Sequence, residues 1–279
     1  MTATTVTAPA PGAGTASKQP AAGGAGAGRL RTILAPVLLG VVALLLWQLA
    51  VVVFDIKPFI VPAPLSIGGE FGTNIATVVA GAVVTGGNAL VGLVIGGIVG
   101  IVFAILAALV RVVDELSVAI VAALAVIPIV ALAPVLYTMF GAGAETARQL
   151  VAAIAVFIPV YINTLRGLRQ VRPVHRDLLH VYAASAWQMT RTVTVPGALP
   201  FIFTGLRIAS SLAVISALIA EYFGGPVGGL GKSITSAASS SNYNLAWAYV
   251  LGAILVGLVF YCVTLAIEMF ATRHYRPTS

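Results

Sequence analysis

With 279 residues, 59% of them hydrophobic and only 8% charged, the chain falls outside the range of soluble domains, which carry about a quarter charged residues. Its 15 basic and 8 acidic side chains are too few to solvate a globule of this size. That excludes a soluble enzyme, a coiled coil and a disordered protein, and leaves a polytopic membrane protein. The net charge of +7 is a topology signal rather than a nucleic-acid surface.

Residues 1–28 are almost all Ala, Gly, Pro, Thr and Ser, with Lys18 as the one charge. Such a segment buries too little surface to offset chain entropy and is expected to be a disordered tail. It lacks the charged-then-apolar layout of a signal peptide. A span needs roughly 20 apolar residues to cross a bilayer core of about 30 Å. The first is expected at 33–54, followed by a polar, Pro-rich stretch over 55–74. Residues 75–110 carry no charge and read as one long, tilted helix, whose glycines (Gly81, Gly92, Gly96, Gly97, Gly100) allow close packing. The third span is expected at 116–140, with Pro128 and Pro134 inside it, and the fourth at 149–165. A polar, Arg-rich loop occupies 166–196. The fifth and sixth spans, 199–220 and 245–270, complete an all-α membrane protein of six transmembrane helices. Cys262, the single cysteine, lies within the last span and is expected to be a buried small hydrophobe.

Orientation follows from the basic residues. A cytoplasmic N-terminus places every Lys and Arg on the cytoplasmic side except Lys57, Arg148 and Lys232, with Arg207 at or inside the membrane edge. The positive-inside rule therefore puts both termini and the 166–196 loop in the cytoplasm. That loop contains a short amphipathic stretch, 177–188, flanked by Arg176 and Arg191 and closed by Pro196. A core helix has no place in a basic loop between spans. Its apolar side chains Leu178, Leu179, Tyr182 and Trp187 need a partner surface or the lipid interface.

These residues resemble the inner-membrane permease subunits of bacterial ABC importers. The signature of that family is E-A-A, three residues, G, nine residues, I, one residue, L-P. Here the same spacing reads Asp177-Leu178-Leu179, Ala183, Val193, Val195 and Pro196. The segment "AASAWQMTRTVTVPGALPFIFTGLRIA" (183–209) is similar to the nitrate/sulfonate/taurine branch. So are "FIVPAPLSI" (59–67), the run from 127 to 171, and "AEYFGGPVGGLGKSI" (220–234). The resemblance implies a type I ABC importer permease (MetI-like) fold over 29–279, in the bacterial inner or plasma membrane. It implies that 177–188 is a coupling helix docking into a groove of a separate ATP-binding subunit, through Asp177, Leu178, Leu179, Tyr182, Ala183, Ala184, Ser185, Trp187, Gln188 and Pro196. It further implies an extracytoplasmic solute-binding protein, a homodimer with the pathway at its two-fold interface, and no cofactor. The solute expected is small: nitrate, a sulfonate or taurine, a thiamine precursor or a vitamin. Asp177 keeps the family's negative charge at the expected helix N-terminus, while Ala183 replaces a conformationally permissive glycine.

Gly231-Lys232-Ser233 imitates the end of a phosphate-binding loop, but Pro226 stands where its first glycine is required. ATP hydrolysis is therefore expected in a partner. Glu221, at the outer end of the fifth span, is costly at the edge of hydrocarbon and points to a cavity or gate; the plainer reading is a solvated carboxylate just past the membrane. Asn88, Tyr137, Asn163 and Ser211 lie within spans and either line a pathway or make helix–helix hydrogen bonds. His175 and His180, five apart, do not meet the usual i, i+4 spacing for a metal, and no catalytic motif is recognisable. The competing reading is a stand-alone secondary transporter or channel. It requires intramembrane ionisable pairs, and the interiors of spans two, three and six are read as having none.

Overall fold

The computed structural model describes residues 25–141, 143–170, 173–224 and 228–273, with side chains from residue 34 onward except at 173, 175, 176 and 180. Two units divide the chain, 1–49 and 50–279. Helix α1 (Ala25–Val53) begins in the first and is apolar and long enough to cross a bilayer from Leu34. Most of the expected disordered tail lies outside the described residues, and its last four positions, 25–28, already belong to α1.

Every described element of the second unit is helical. The helices are α2 (Pro64–Thr73), α3 (Ile75–Leu109), α4 (Arg111–Val126), α5 (Ile129–Phe140), α6 (Glu145–Arg169), α7 (Pro173–Val181), α8 (Ala186–Met189), α9 (Val195–Phe223), α10 (Leu230–Ser239) and α11 (Tyr243–Thr272). A π-helical turn, Thr190–Thr194, joins α8 to α9. Five helical stretches are long and apolar enough to span a membrane, or six if the bent pair α4–α5 counts as one.

Helices α3, α6 and α9 form the centre. Ala89 and Leu93 of α3, Val156 and Val160 of α6, and Ala209, Ala213, Val214 and Ala217 of α9 bury one another. Small residues permit this approach: a methyl group on Gly96 would sit 2.8 Å from Val156 Cβ and against the Ala153 carbonyl. Close packing of small residues is how helices associate where no hydrophobic driving force separates protein from lipid. The uncharged run expected as one helix is one helix, α3.

The third span differs from expectation. It breaks at Ile127–Pro128 into two helices bent by 93°. Proline denies its predecessor the α region, and Ile127 is extended with φ −67° and ψ 122°. The fifth span begins well before 199, because Pro196 enters the first turn of α9, where the missing N–H costs nothing. Cys262 is exposed on α11 rather than buried. That face of α11 is apolar, with Leu258, Val259 and Val263 also exposed, as suits a helix bordering lipid.

Candidate functional site

The stretch 177–188 is two short helices rather than one. Helix α7 ends at Val181, and Ala183 adopts a left-handed φ of 51°. Ser185 then caps α8: its hydroxyl accepts the Gln188 N–H at 3.3 Å while the Gln188 side chain accepts the Ser185 N–H at 2.8 Å. Because α7 starts at Pro173, Asp177 is its fifth residue. The expected contribution to the helix macrodipole is lost, since that effect fades after the first turn. Ala183 occupies the one position of the turn where a glycine is conformationally cheapest.

The apolar side chains here are uncovered: Leu178 is 53%, Tyr182 75% and Trp187 71% exposed. Ala183, Ser185 and Gln188 are exposed with them, while Leu179, Ala184 and Pro196 are half-buried. From α8 the helical path runs without interruption through the π turn into α9, over Ala186–Phe223. At 1.5 Å per residue that is about 57 Å, against a hydrocarbon core of about 30 Å. Trp187 therefore sits on the end of a helix longer than the membrane is thick, and Leu178 and Tyr182 sit on α7 and the turn that lead into it. Arg169 at the end of α6 pairs with Asp114 of α4.

At the far end of α9 lies a buried polar cluster. Glu221 is 0% exposed, so it is not a solvated carboxylate. Its Oε2 accepts from Thr85 Oγ1 at 2.8 Å and from the Gly231 N–H at 2.9 Å. Thr85 Oγ1 in turn accepts the Leu230 N–H at 2.9 Å. Arg148, expected in an outer loop, is also 0% exposed. Its Nε donates to Tyr137 Oη at 3.1 Å and its Nη1 to the Gly228 carbonyl at 2.9 Å. Tyr137 Oη donates to the Ala220 carbonyl at 3.1 Å. The Arg148 charge lies near enough to act on the Glu221 carboxylate, and Asn88 accepts a 3.2 Å hydrogen bond from Gln149. A buried carboxylate is tolerable only with such compensation.

The structure thus brings Glu221, Asn88 and Tyr137 together and leaves Asn163 and Ser211 elsewhere. The Asn163 amide donates to the Pro159 carbonyl of its own helix. Ser211 borders a groove of about 330 Å³ between α9, α10 and α11, with Leu218, Tyr222 and Ile234. Thr85 and Arg148 were missed from sequence. A lone arginine opening an otherwise apolar span was the available signal for Arg148; Thr85 had none. An ionisable pair does stand at the end of span six. Glu268 of α11 pairs with Arg207 of α9 at 3.1 Å and accepts from Thr204 at 2.9 Å. Only one turn separates Glu268 from the end of α11, so the pair belongs to the bundle's edge.

Residues 100–274 match the family described as "Binding-protein-dependent transport system inner membrane component". The riboflavin transport system permease protein RibX of Chloroflexus aurantiacus is 31% identical over 232 residues, covering 82% of this chain and 86% of RibX. The putative aliphatic sulfonates transport permease protein SsuC of Escherichia coli is 33% identical, over 67% of this chain and 72% of its own. The taurine transport system permease protein TauC of Escherichia coli is 36% identical over 40% of each chain. Among solved structures, an amino acid ABC transporter with histidines superposes with a TM-score of 0.56 at 15% identity, covering 72% of this chain and 94% of that one. That likeness concerns the fold alone.

Proposed function

The chain belongs to the family of binding-protein-dependent transport system inner membrane components and is the transmembrane permease subunit of an ABC importer for a small solute; from this premise we propose that 173–196 is the surface through which a separate ATP-binding subunit drives it. The observation that carries this reading is the uncovered set Leu178, Tyr182 and Trp187, on α7, the turn after it and the start of a helix too long for the bilayer. Asp177, Leu179, Ala183, Ala184, Ser185 and Gln188 complete the surface. Pro196 opens the helix that carries its movement into the membrane.

This end faces the cytoplasm, as do both termini, because Arg166, Arg169 and Arg191 gather here. The permease works as a homodimer in the lipid bilayer of the cell membrane. An extracytoplasmic solute-binding protein delivers solute to the opposite end. The pathway follows the two-fold interface, lined in part by Ser211 and Asn163, with the buried Glu221, Asn88 and Tyr137 acting at a gate. Closure of the ATPase pair shifts the docking segment, and the permease alternates between outward and inward access. The solute belongs with the small metabolites named for the relatives: riboflavin, aliphatic sulfonates and taurine. The chain itself hydrolyses nothing. Its phosphate-loop look-alike spends the Gly231 N–H on Glu221, so that group is not free to cradle a phosphate.

Two experiments test this. In a Cys262→Ser background, Gln188→Cys should react with an impermeant maleimide only from the cytoplasmic side and Ser239→Cys only from outside. Reaction of both from one side refutes the six-span arrangement. The purified chain should neither hydrolyse ATP nor take up solute in vesicles. Addition of the ATP-binding subunit should yield hydrolysis that the loaded binding protein stimulates. Hydrolysis by the chain alone, free of other ATPases, would overturn the assignment of energy supply.

A further inference from the structure

We propose that Glu221 is a positioning residue for transport: with Thr85 it caps the start of α10 from outside that helix, and so holds α10 in its seat at the outer end of the bundle. The proposal rests on the permease reading and on Glu221 acting at a gate, and it deepens both.

A helix leaves its first N–H groups without intrahelical partners. The residue in the capping position of α10 is Gly229, which has no side chain to supply one. The two N–H groups that follow are satisfied by other helices. Leu230 donates to Thr85 of α3, Gly231 donates to Glu221 of α9, and Thr85 donates to Glu221. A carboxylate at a helix N-terminus also meets the positive end of the macrodipole. All three groups are buried, so an α10 displaced from them without reaching water loses hydrogen bonds that nothing nearby replaces.

The local sequence is shaped around this carboxylate. Gly229 has φ 142°, and a methyl group there would lie 2.5 Å from Glu221 Cδ. One on Gly231 would lie 2.8 Å from Glu221 Cβ. Arg148 holds the Gly228 carbonyl just before α10 and, through Tyr137, the Ala220 carbonyl just before Glu221. The rest of the seat is apolar: Leu230, Ile234 and Ala237 pack with Val78, Tyr249 and Ala253. Glu221, with Leu218 one turn before it, thus joins α10 to the far end of the continuous helix Ala186–Phe223, and the proposed docking surface adjoins the other end of that helix. Displacement of that helix at the ATPase end moves the cap on which α10 sits.

The test uses the full chain, assembled with its ATP-binding subunit in vesicles and carrying Cys262→Ser. Ala237→Cys, buried under seated α10, reports unseating by its rate of reaction with an impermeant maleimide; the exposed Ser239→Cys is the control. Thr85→Val should raise the Ala237→Cys rate by about tenfold, equivalent to about 1.4 kcal/mol. Thr85→Ser, which keeps the hydroxyl, should restore the parent rate. Glu221→Gln should act in the direction of Thr85→Val. In the parent, trapping the ATPase pair with nucleotide should shift the rate, and Thr85→Val should abolish that shift. Solute uptake should fall in Thr85→Val although the ATP-binding subunit still co-purifies. That co-purification reads the permease assignment separately. Parent-like rates in both Thr85→Val and Glu221→Gln, with Ser239→Cys reacting readily, would overturn the proposal, as would a parent rate indifferent to nucleotide.

Discussion

Ala183→Arg is expected to abolish both co-purification with the ATP-binding subunit and solute uptake, while the permease still inserts and folds. Ala183 lies in the turn between α7 and α8 and is exposed in the free chain, so the larger side chain meets no obstacle within the permease. Its left-handed backbone costs arginine no more than it costs alanine. In the proposed docked complex the same position faces the ATPase groove, where an unpaired guanidinium would lose its hydration. That penalty is several kcal/mol, and each 1.4 kcal/mol is tenfold in affinity. Ala183→Gly should behave in the opposite way. A sequence reading that puts residue 183 inside a helix assigns this change a cost of up to about 1 kcal/mol. With φ at 51°, glycine instead relieves a left-handed alanine of roughly 1 kcal/mol. The variant should assemble and transport at least as well as the parent. Near-parental assembly and uptake in Ala183→Arg would show that the segment does not dock, and would favour its lying on lipid.

Arg148→Met should be the most damaging single substitution for stability. The side chain is fully buried, donates to Tyr137 and to the Gly228 carbonyl, and places its charge near the Glu221 carboxylate. Methionine fills similar volume without donors or charge. Losing a charged hydrogen-bond donor to the Tyr137 hydroxyl and to the Gly228 carbonyl costs about 1–3 kcal/mol each in the interior, and the Glu221 carboxylate loses a nearby positive charge. The thermal midpoint of the detergent-purified protein should drop accordingly. Adding Glu221→Gln should recover part of the loss, since the double variant buries no lone charge. If the single variant unfolds with the parent, or the second substitution makes matters worse, Arg148 does not compensate Glu221.

Much of this molecule was legible before any coordinates. Helicity, the number of apolar spans and the single unbroken α3 depend on composition and near-neighbour pattern. A membrane enforces these harder than water does, because every backbone group must be paired within its own segment. The matched spacing from Asp177 to Pro196 marks the segment proposed to dock for the same reason: it is one short stretch of chain.

What required the folded chain is where distant residues meet or where the backbone departs from its local preference. Pro128 is plain in the sequence, where it reads as lying within one span, but the 93° turn depends on how α5 packs on α6 and α9. Ala183 has no local reason to be left-handed; the turn between α7 and α8 imposes it. Glu221 reads equally well as a solvated carboxylate, since its partner Thr85 lies 136 positions away along the chain and the nearby Arg148 lies 73 away. Only the juxtaposition of α3, α6 and α9 makes that carboxylate a buried cap for α10. Burial and pairing are properties of the packed bundle, and they reverse the meaning of a charge whose sequence context is unchanged.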